Sequence, residues 1–321
     1  MIIRYLIPSS LKQVVIDTTV QEKAIAYPTD SKLYDKARHA VVNAAHELNI
    51  SLRQTYRKLC RELLPKIGRY GHAKQYRRLR KGVKKIKGAL GRVYRDLLRQ
   101  LPEGVVLTET QQTALDQAKR LLAQEKHSKN KLYSLHAPET ECISKGKAHK
   151  RYEFGVKARF ATTVKETFVV GARSFTGNPY DGHTLTEQLE QVTILCGITP
   201  EEAQVDQGYR GHGYNGPTKI LMVRQKRGIT PQQKKRLKRR NSIEPIIGHM
   251  KNDGKLGRCH LKGQLGDAIN VILCAARQNI RKLLRWLYFA WLWLMPEAVL
   301  RLEAAIKQDE RVAEPHLHSA I

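Results

Sequence analysis

Three acidic residues stand where acids are scarce or costly. Asp17 sits inside the apolar run Val14-Val15-Ile16-Asp17-Thr18-Thr19. A buried carboxylate without a partner is strongly unfavourable, so it needs a metal, a cation or hydrogen bonds. Asp206 opens Asp206-Gln207-Gly208-Tyr209-Arg210-Gly211, where a strand meets a glycine-rich turn and a side chain is presented at a sheet edge. Glu244 lies within Arg239-Arg240-Asn241-Ser242-Ile243-Glu244-Pro245-Ile246-Ile247-Gly248-His249, with cations on both sides. Three carboxylates converging on one spot form a hard oxygen site suited to Mg2+, for which Mn2+ can substitute. Two such ions about 4 Å apart activate a water or a 3′-hydroxyl and stabilise the leaving oxygen of a phosphodiester. Asp181 is a rival for the first acid, 25 residues before Asp206. Its surroundings, Asn178 through His183, read equally well as a turn and helix cap, which makes it a supporting or structural residue.

A phosphodiester must approach a site that is itself negative, and the charge of the chain supplies the attraction. The 321 residues hold 58 Lys and Arg against 29 Asp and Glu, a formal charge of +29. Solubility needs far less, and each cation that meets a phosphate releases condensed counterions, so a polyanionic partner is expected. Double-stranded DNA and membrane lipid are the polyanions to weigh. Residues 53–100 carry 17 Lys/Arg against 2 acids, and residues 219–262 carry 14 against 2, so two patches hold nearly all the excess. The five cysteines are widely spaced with no CxxC pair, which indicates reduced thiols in a cytoplasmic protein, with neither a zinc site nor a disulfide framework; binding to DNA would make it nucleoid-associated. No secretory signal is visible. The most apolar window, Trp286–Met295, is about half the length that spans a bilayer and is expected to be a buried or oligomer-facing helix.

The elements that must position these residues follow from periodicity. The β-branched run Val14–Thr19 reads as a buried strand, with Lys23–Tyr27 extending it or pairing with it. Residues 31–126 read as helices. Asp30 or Ser31 caps the first, Ser51 begins a second and Gln111 a later one, while Gly68, Gly71, Gly82, Gly88 and Gly91 weaken helix between them. Tyr152–Thr163 and Thr167–Phe175 read as two strands joined by a short turn. His183–Cys196 is a helix, Glu202–Val205 and Lys219–Val223 are short strands, and Thr230 caps a basic helix that Pro245 interrupts or begins anew. Gln264–Trp293 is a long helix. The fold expected is α/β, a mixed sheet flanked by helices with a basic all-helical insertion after its first strand. Its divisions are 1–30 for the first strand, 31–130 for the insertion, 131–296 for the rest of the core, and 297–321 for a tail, flexible from 304.

Five separated stretches occur in an order that resembles the DDE transposases of bacterial insertion sequences, of the insertion sequence five type. They are Ile16-Asp17-Thr18-Thr19, Ala26-Tyr27-Pro28-Thr29-Asp30-Ser31, Gly177-Asn178-Pro179-Tyr180-Asp181-Gly182-His183, Asp206-Gln207-Gly208-Tyr209-Arg210-Gly211, and Arg240 through Lys251. The resemblance spans roughly Leu11 to Trp293. It implies an RNase H-like core, a catalytic and metal-binding triad of Asp17, Asp206 and Glu244, metal-dependent cleavage at transposon ends, and attack of the freed 3′-hydroxyl on target DNA. It implies a homodimer assembled on DNA, and a chain without the helical region that relatives carry before the first Asp. Asp206 and Glu244 are 38 residues apart, and Asp17 and Asp206 are 189 apart, a gap that residues 31–126 explain as an insertion.

Plainer readings stand beside these. Asp17 alone reads as a solvated strand end, Asp206 as turn chemistry, and Glu244 as one half of an ion pair with Arg240. Arg210, Arg224, Lys226, Arg227, Lys235, Lys238, Arg239, Arg240 and Lys251 are expected to touch phosphates as a group, though each alone fits a solvated face. Tyr209 and Arg210 contact DNA, position Glu244 or simply pack, His183 hydrogen-bonds, His249 and Lys251 flank the glutamate helix within reach of a terminal phosphate, and the tryptophans belong to core or interface. The competing functions are a truncated remnant that only binds DNA and an RNase H-like nuclease without strand transfer.

Overall fold

A computed structural model describes residues 8–144, 150–225 and 227–313. A single turn, α1 (Pro8–Leu11), precedes the central strand β1 (Gln13–Glu22). The β-branched residues of β1 favour extended backbone, and alternation sends Val14, Ile16 and Thr18 to one face and Val15 and Asp17 to the other. Beyond β1, Lys23 continues only as a bridge to Cys259.

Four helices follow: α2 (Asp30–Glu47), α3 (Arg57–His72), α4 (Tyr76–Gln100) and α5 (Glu109–Ala123). They bury their own core, with Leu33, Val41, Cys60, Ile86, Leu90 and Leu121 at its centre. On α4, Ile86, Leu90, Val93 and Leu97 recur at helical spacing and point inward, while Arg77, Arg80, Lys84, Lys85, Arg92 and Arg99 lie on the outer side. Three local expectations change here. The cap of α2 is Thr29, without a side-chain bond, and Asp30 is the first helical residue. Helix α3 begins at Arg57 because Tyr56 takes a left-handed backbone, φ 53°, that stops helix from starting at Ser51. The glycines do not break α3 or α4; a side chain on Gly82 would strike Ile67, so hydrogen is what lets the two helices pack closely.

The rest of the sheet is β2 (Glu141–Ser144), β3 (Tyr152–Thr163), β4 (Val169–Phe175), β5 (Glu202–Val205) and β6 (Lys219–Met222). Strand β3 runs antiparallel to β1 in a register that sets Asp17 opposite Phe160. On its other edge β3 pairs with β2 near its start and with β4 near its end, both antiparallel. Strands β5 and β6 extend the opposite side, parallel to β1. The short strand β2 was not expected. Helix α6 (Leu185–Cys196) covers the Val14/Ile16 face through Leu185, Leu189 and Val192. Helices α8 (Ile243–Asn252) and α9 (Gly263–Ala313) cover the Val15 face through Ile243, Ile247, Met250 and Val271. The mixed sheet flanked by helices is thus observed.

Helix α9 is fixed to the sheet by polar clasps. The Asn279 side chain both accepts from the Val169 amide and donates to the Val169 carbonyl, each at 2.8 Å. Past Trp286 the helix leaves the sheet, and Leu287, Tyr288, Phe289, Trp291 and Trp293 are exposed. The Trp286–Met295 window is therefore not buried within one chain. Trp286 packs edge-to-face on Phe168 at 5.0 Å. The helical backbone continues to Ala313, across the stretch expected as a tail, and 314–321 lie outside the described residues. Among the described residues, no helix is long and apolar enough to cross a membrane.

Candidate active site

Asp17 projects from the middle of β1 toward α8, and its Oδ1 accepts the Thr18 amide at 2.8 Å. Asp206 follows the last residue of β5. Since Val15 is level with Gln204 in the parallel pair, the two aspartates stand side by side two residues further along. Asp206 caps the 3-10 turn Gln207–Tyr209, its Oδ1 accepting the Gly208 amide at 2.9 Å. A Cβ on Gly208 would stand 3.0 Å from that oxygen, so glycine gives the carboxylate its close approach to the backbone.

Glu244 reaches the same place along a different path. Thr230 starts the short helix α7 (Pro231–Leu237) with a reciprocal cap, its hydroxyl accepting the Gln233 amide and Gln233 returning to the Thr230 amide. A 3-10 turn, Lys238–Ser242, leads into α8. Pro245 falls in the first turn of α8, where a missing N–H costs little. Ile243, Ile246 and Ile247 bury against the sheet, which leaves Glu244 outward on the exposed side of the same turn.

The three carboxylates meet on one guanidinium. Arg240 Nη2 is 3.1 Å from Asp17 Oδ1 and 3.8 Å from Asp206 Oδ2, and Nη1 is 3.4 Å from Glu244 Oε1. Exposure of the acid side chains rises from 15% at Asp17 through 41% at Asp206 to 61% at Glu244, so the group opens from the sheet toward solvent. Among the described residues no three His, Cys, Asp or Glu side chains stand close enough to hold a metal in this conformation. The three carboxylates are gathered around Arg240.

The opposite face of the sheet carries a second network that sequence reasoning missed. Arg159 on β3 is 1% exposed. Its guanidinium lies 5.0 Å from the Tyr209 ring centre and 5.1 Å from that of Phe175. Its Nε donates to Thr18 Oγ1 at 3.1 Å and its Nη2 to the Asp181 carbonyl at 2.8 Å. Asp181 also meets Lys157 at 3.1 Å. Asp181 is thus held by two cations on the Thr18 face, away from the group around Arg240. The available signal was Lys157 and Arg159 at alternate positions of an apolar strand. His183, on the same turn as Asp181, is exposed against the Tyr180 ring.

Of the basic residues expected to touch phosphates, Arg210, Arg224, Arg227, Lys235, Lys238 and Arg239 reach the surface and Lys251 is half-buried. Lys226 lies outside the described residues. Arg240 is 8% exposed and faces carboxylates in place of solvent. Lys235, Arg236 and Arg239 line an open cleft with Lys165, Ser9 and Ser10. His249 pairs with Asp253 at 3.2 Å.

Residues 210–284 match the family model described as "Transposase DDE domain". That stretch holds Arg240, Glu244, α7, α8 and the start of α9, whereas Asp17 and Asp206 precede it. The match supports a DDE transposase. The chain is also similar to "Uncharacterized protein ORF8 in nfe locus" of Rhizobium meliloti, 49% identical over 69 residues, which are 22% of this chain and 33% of that protein. The chain therefore spans about a third of the length of the curated relative it matches. No solved structure matches.

Proposed function

We propose that the chain is a DNA transposase of the insertion sequence five type, which cleaves transposon ends and joins the freed 3′-hydroxyl to target DNA. The observation that carries this reading is that Asp17, Asp206 and Glu244, from three separate elements, meet on one cation beside an exposed basic surface. The family match at residues 210–284 supports the same class. Four strands paired antiparallel, β1 to β4, continued by two parallel ones, with helices on both faces, support an RNase H-like core. A separate hydrophobic core within α2–α5 supports an insertion after β1.

The donor set fits a hard divalent ion. All three acids offer oxygen, the ligand atom that Mg2+ and Mn2+ prefer. Bound there, such ions would polarise a phosphodiester and lower the pKa of an attacking water or hydroxyl. The protein's part is to fix the carboxylates. The Thr18 amide orients Asp17, the Gly208 amide orients Asp206, and the buried isoleucines of α8 set the angle of Glu244. Arg210, Arg224, Lys226, Arg227, Lys235, Lys238, Arg239 and Lys251 draw the DNA backbone to this opening, and the basic face of α4 engages flanking duplex. The apolar Trp286–Met295 stretch of α9 joins two copies on DNA.

The test uses labelled duplexes carrying the sequences that flank the gene, incubated with Mg2+ or Mn2+ and a supercoiled target. Wild-type chain is expected to nick the duplex and join it to the target. Asp17→Asn, Asp206→Asn and Glu244→Gln are each expected to reduce both steps to background while retaining DNA binding. Binding without cleavage by the wild type would refute the catalytic reading.

A further inference from the structure

Arg240 makes poor use of its hydrogen-bonding capacity. A guanidinium carries five N–H donors in a rigid fork and binds a carboxylate best through two short bonds of about 2.7–2.9 Å. Here the nearest oxygen, on Asp17, is at 3.1 Å, while Glu244 at 3.4 Å and Asp206 at 3.8 Å lie beyond a strong charged bond. Among the described residues its Nε is buried with no hydrogen-bond partner. Arginines that brace a fold look different in this molecule. Arg38 bonds Asp35 through both Nε and Nη2, at 2.9 and 2.7 Å, and donates to a carbonyl besides. Arg240 is held by the summed charge of three acids more than by any one bond.

Resting on the reading of this group as a metal site, we infer that Arg240 is a placeholder cation. It neutralises the carboxylates in the metal-free protein and competes with divalent metal for the same oxygens, so that metal binding displaces it. The arrangement suits exchange. Arg240 lies in the irregular turn between α7 and α8, one helical turn before Glu244, so a rotation of its side chain frees the carboxylates with β1 and β5 unmoved. The opening toward solvent at Asp206 and Glu244 gives the guanidinium somewhere to go. An arginine that instead pre-shapes the site for metal would favour metal binding, and the two roles predict opposite effects of its removal.

The test is Mn2+ binding to the full chain, followed by the electron paramagnetic resonance signal of free Mn2+, with unfolding midpoints in chelator and in Mn2+. Arg240→Gln is expected to bind Mn2+ at least about tenfold more tightly than wild type, since a unit charge a few ångströms away is removed. It is also expected to unfold at lower temperature in chelator and to gain more from Mn2+ than wild type does. Arg240→Met, which keeps the packing of the stem, should behave alike and serves if the glutamine chain folds poorly. Asp17→Asn should bind weakly. If wild type binds and Asp17→Asn does not, but both Arg240 variants bind no more tightly than wild type, the placeholder role is overturned and the metal site stands. If wild type and the Arg240 variants bind no better than Asp17→Asn, the metal site fails, and the placeholder with it.

Discussion

The hydroxyls of Thr18 and Tyr209 meet at 2.9 Å, tying β1 to the turn that follows β5 on the sheet face opposite Asp17. Thr18 is the next residue after Asp17, and Tyr209 closes the turn that Asp206 caps. The spacing between the two aspartates is therefore fixed from behind as well as by the strand pairing. Arg159 completes the tie by donating to Thr18 and lying over the Tyr209 ring. Burial pushes the Tyr209 phenol far above its usual range, so it remains neutral at any working pH.

Tyr209→Phe removes one bond and leaves the ring. We expect a loss of about 1 kcal/mol in denaturant unfolding and a cleavage rate lowered severalfold. Tyr209→Ala also empties the space beside Arg159, at about 3–5 kcal/mol. A phenylalanine chain that matches wild type in both assays would show that the tie does not position the aspartates.

These interactions mark where the sequence stops being legible. The strand around Asp17 was readable because five of the six residues Val14–Thr19 are β-branched, and the Thr230 cap because its partner sits three residues on. The helix start at Arg57 was hidden by the left-handed backbone of Tyr56, which no residue preference announces. Strand β2 is four residues without alternation, and its pairing to β3 makes it a strand. Arg240 showed only its local relation to Glu244, an i,i+4 ion pair. That Asp17 and Asp206 join it depends on β1 and β5 lying side by side, with the two aspartates 189 residues apart in the chain. Arg159 and Tyr209 were likewise brought together by tertiary pairing.

The base of β1 is locked to α9 by a buried lysine. Lys23 Nζ lies 2.7 Å from Glu139, 2.8 Å from Asp267 and 2.9 Å from the Leu261 carbonyl, with all three charged side chains under a tenth exposed. Lys23→Met leaves two buried carboxylates without their cation, and we expect a loss of about 3–5 kcal/mol at neutral pH. Burial by itself lowers the pKa of Lys23, but the hydrogen bonds and charges of Asp267 and Glu139 outweigh it and hold it above the ordinary 10.5. A raised folded pKa means that this stabilisation is fully present below pH 10.5 and is lost as pH rises through the folded value. The gap between wild type and Lys23→Met in urea unfolding should be constant from about pH 7 to about pH 10 and close above that. A gap that closes on acidification alone would contradict this.

Gly155 lies in β3 between β1 and β2, level with Glu22 on one side and Glu141 on the other. A Cβ there would overlap the Gln21 carbonyl oxygen, part of a backbone that cannot swing aside. Gly155→Ala should therefore cost at least about 3 kcal/mol or prevent folding, whereas Gly88→Ala, with open space at its Cβ, should be neutral or stabilising. Equal thermal midpoints for the two alanine chains would mean that the β1–β3 register is wrong.

The exposed lysines and arginines of α7 and its following turn should act through phosphate charge. Replacing Lys235, Lys238 and Arg239 together by alanine is expected to weaken duplex binding alike on any sequence. The slope of log K against log salt should become shallower by about 0.9 for each phosphate that is no longer neutralised. An unchanged slope would place the duplex elsewhere on the surface.

The Trp286–Met295 stretch of α9 presents apolar side chains all round. Leu287 is 64% exposed, Trp291 54%, Trp293 75% and Leu294 53%, on a segment that, among the described residues, leaves the sheet after Trp286 packs on Phe168. A contiguous apolar surface of this kind is rarely left in water by a stable monomer, and helices that are apolar on every side pack into bundles. Self-association through this segment is the expected state, and it should be visible as a concentration-dependent mass in sedimentation. Leu287→Glu, Trp291→Lys and Leu294→Glu together should shift the chain to monomer and leave Mn2+ binding at Asp17 unaltered, because α9 meets the sheet through residues up to Trp286. A triple variant that sediments like wild type would move the interface between copies to another face, and the basic helices α3 and α4 would then be the next surface to test.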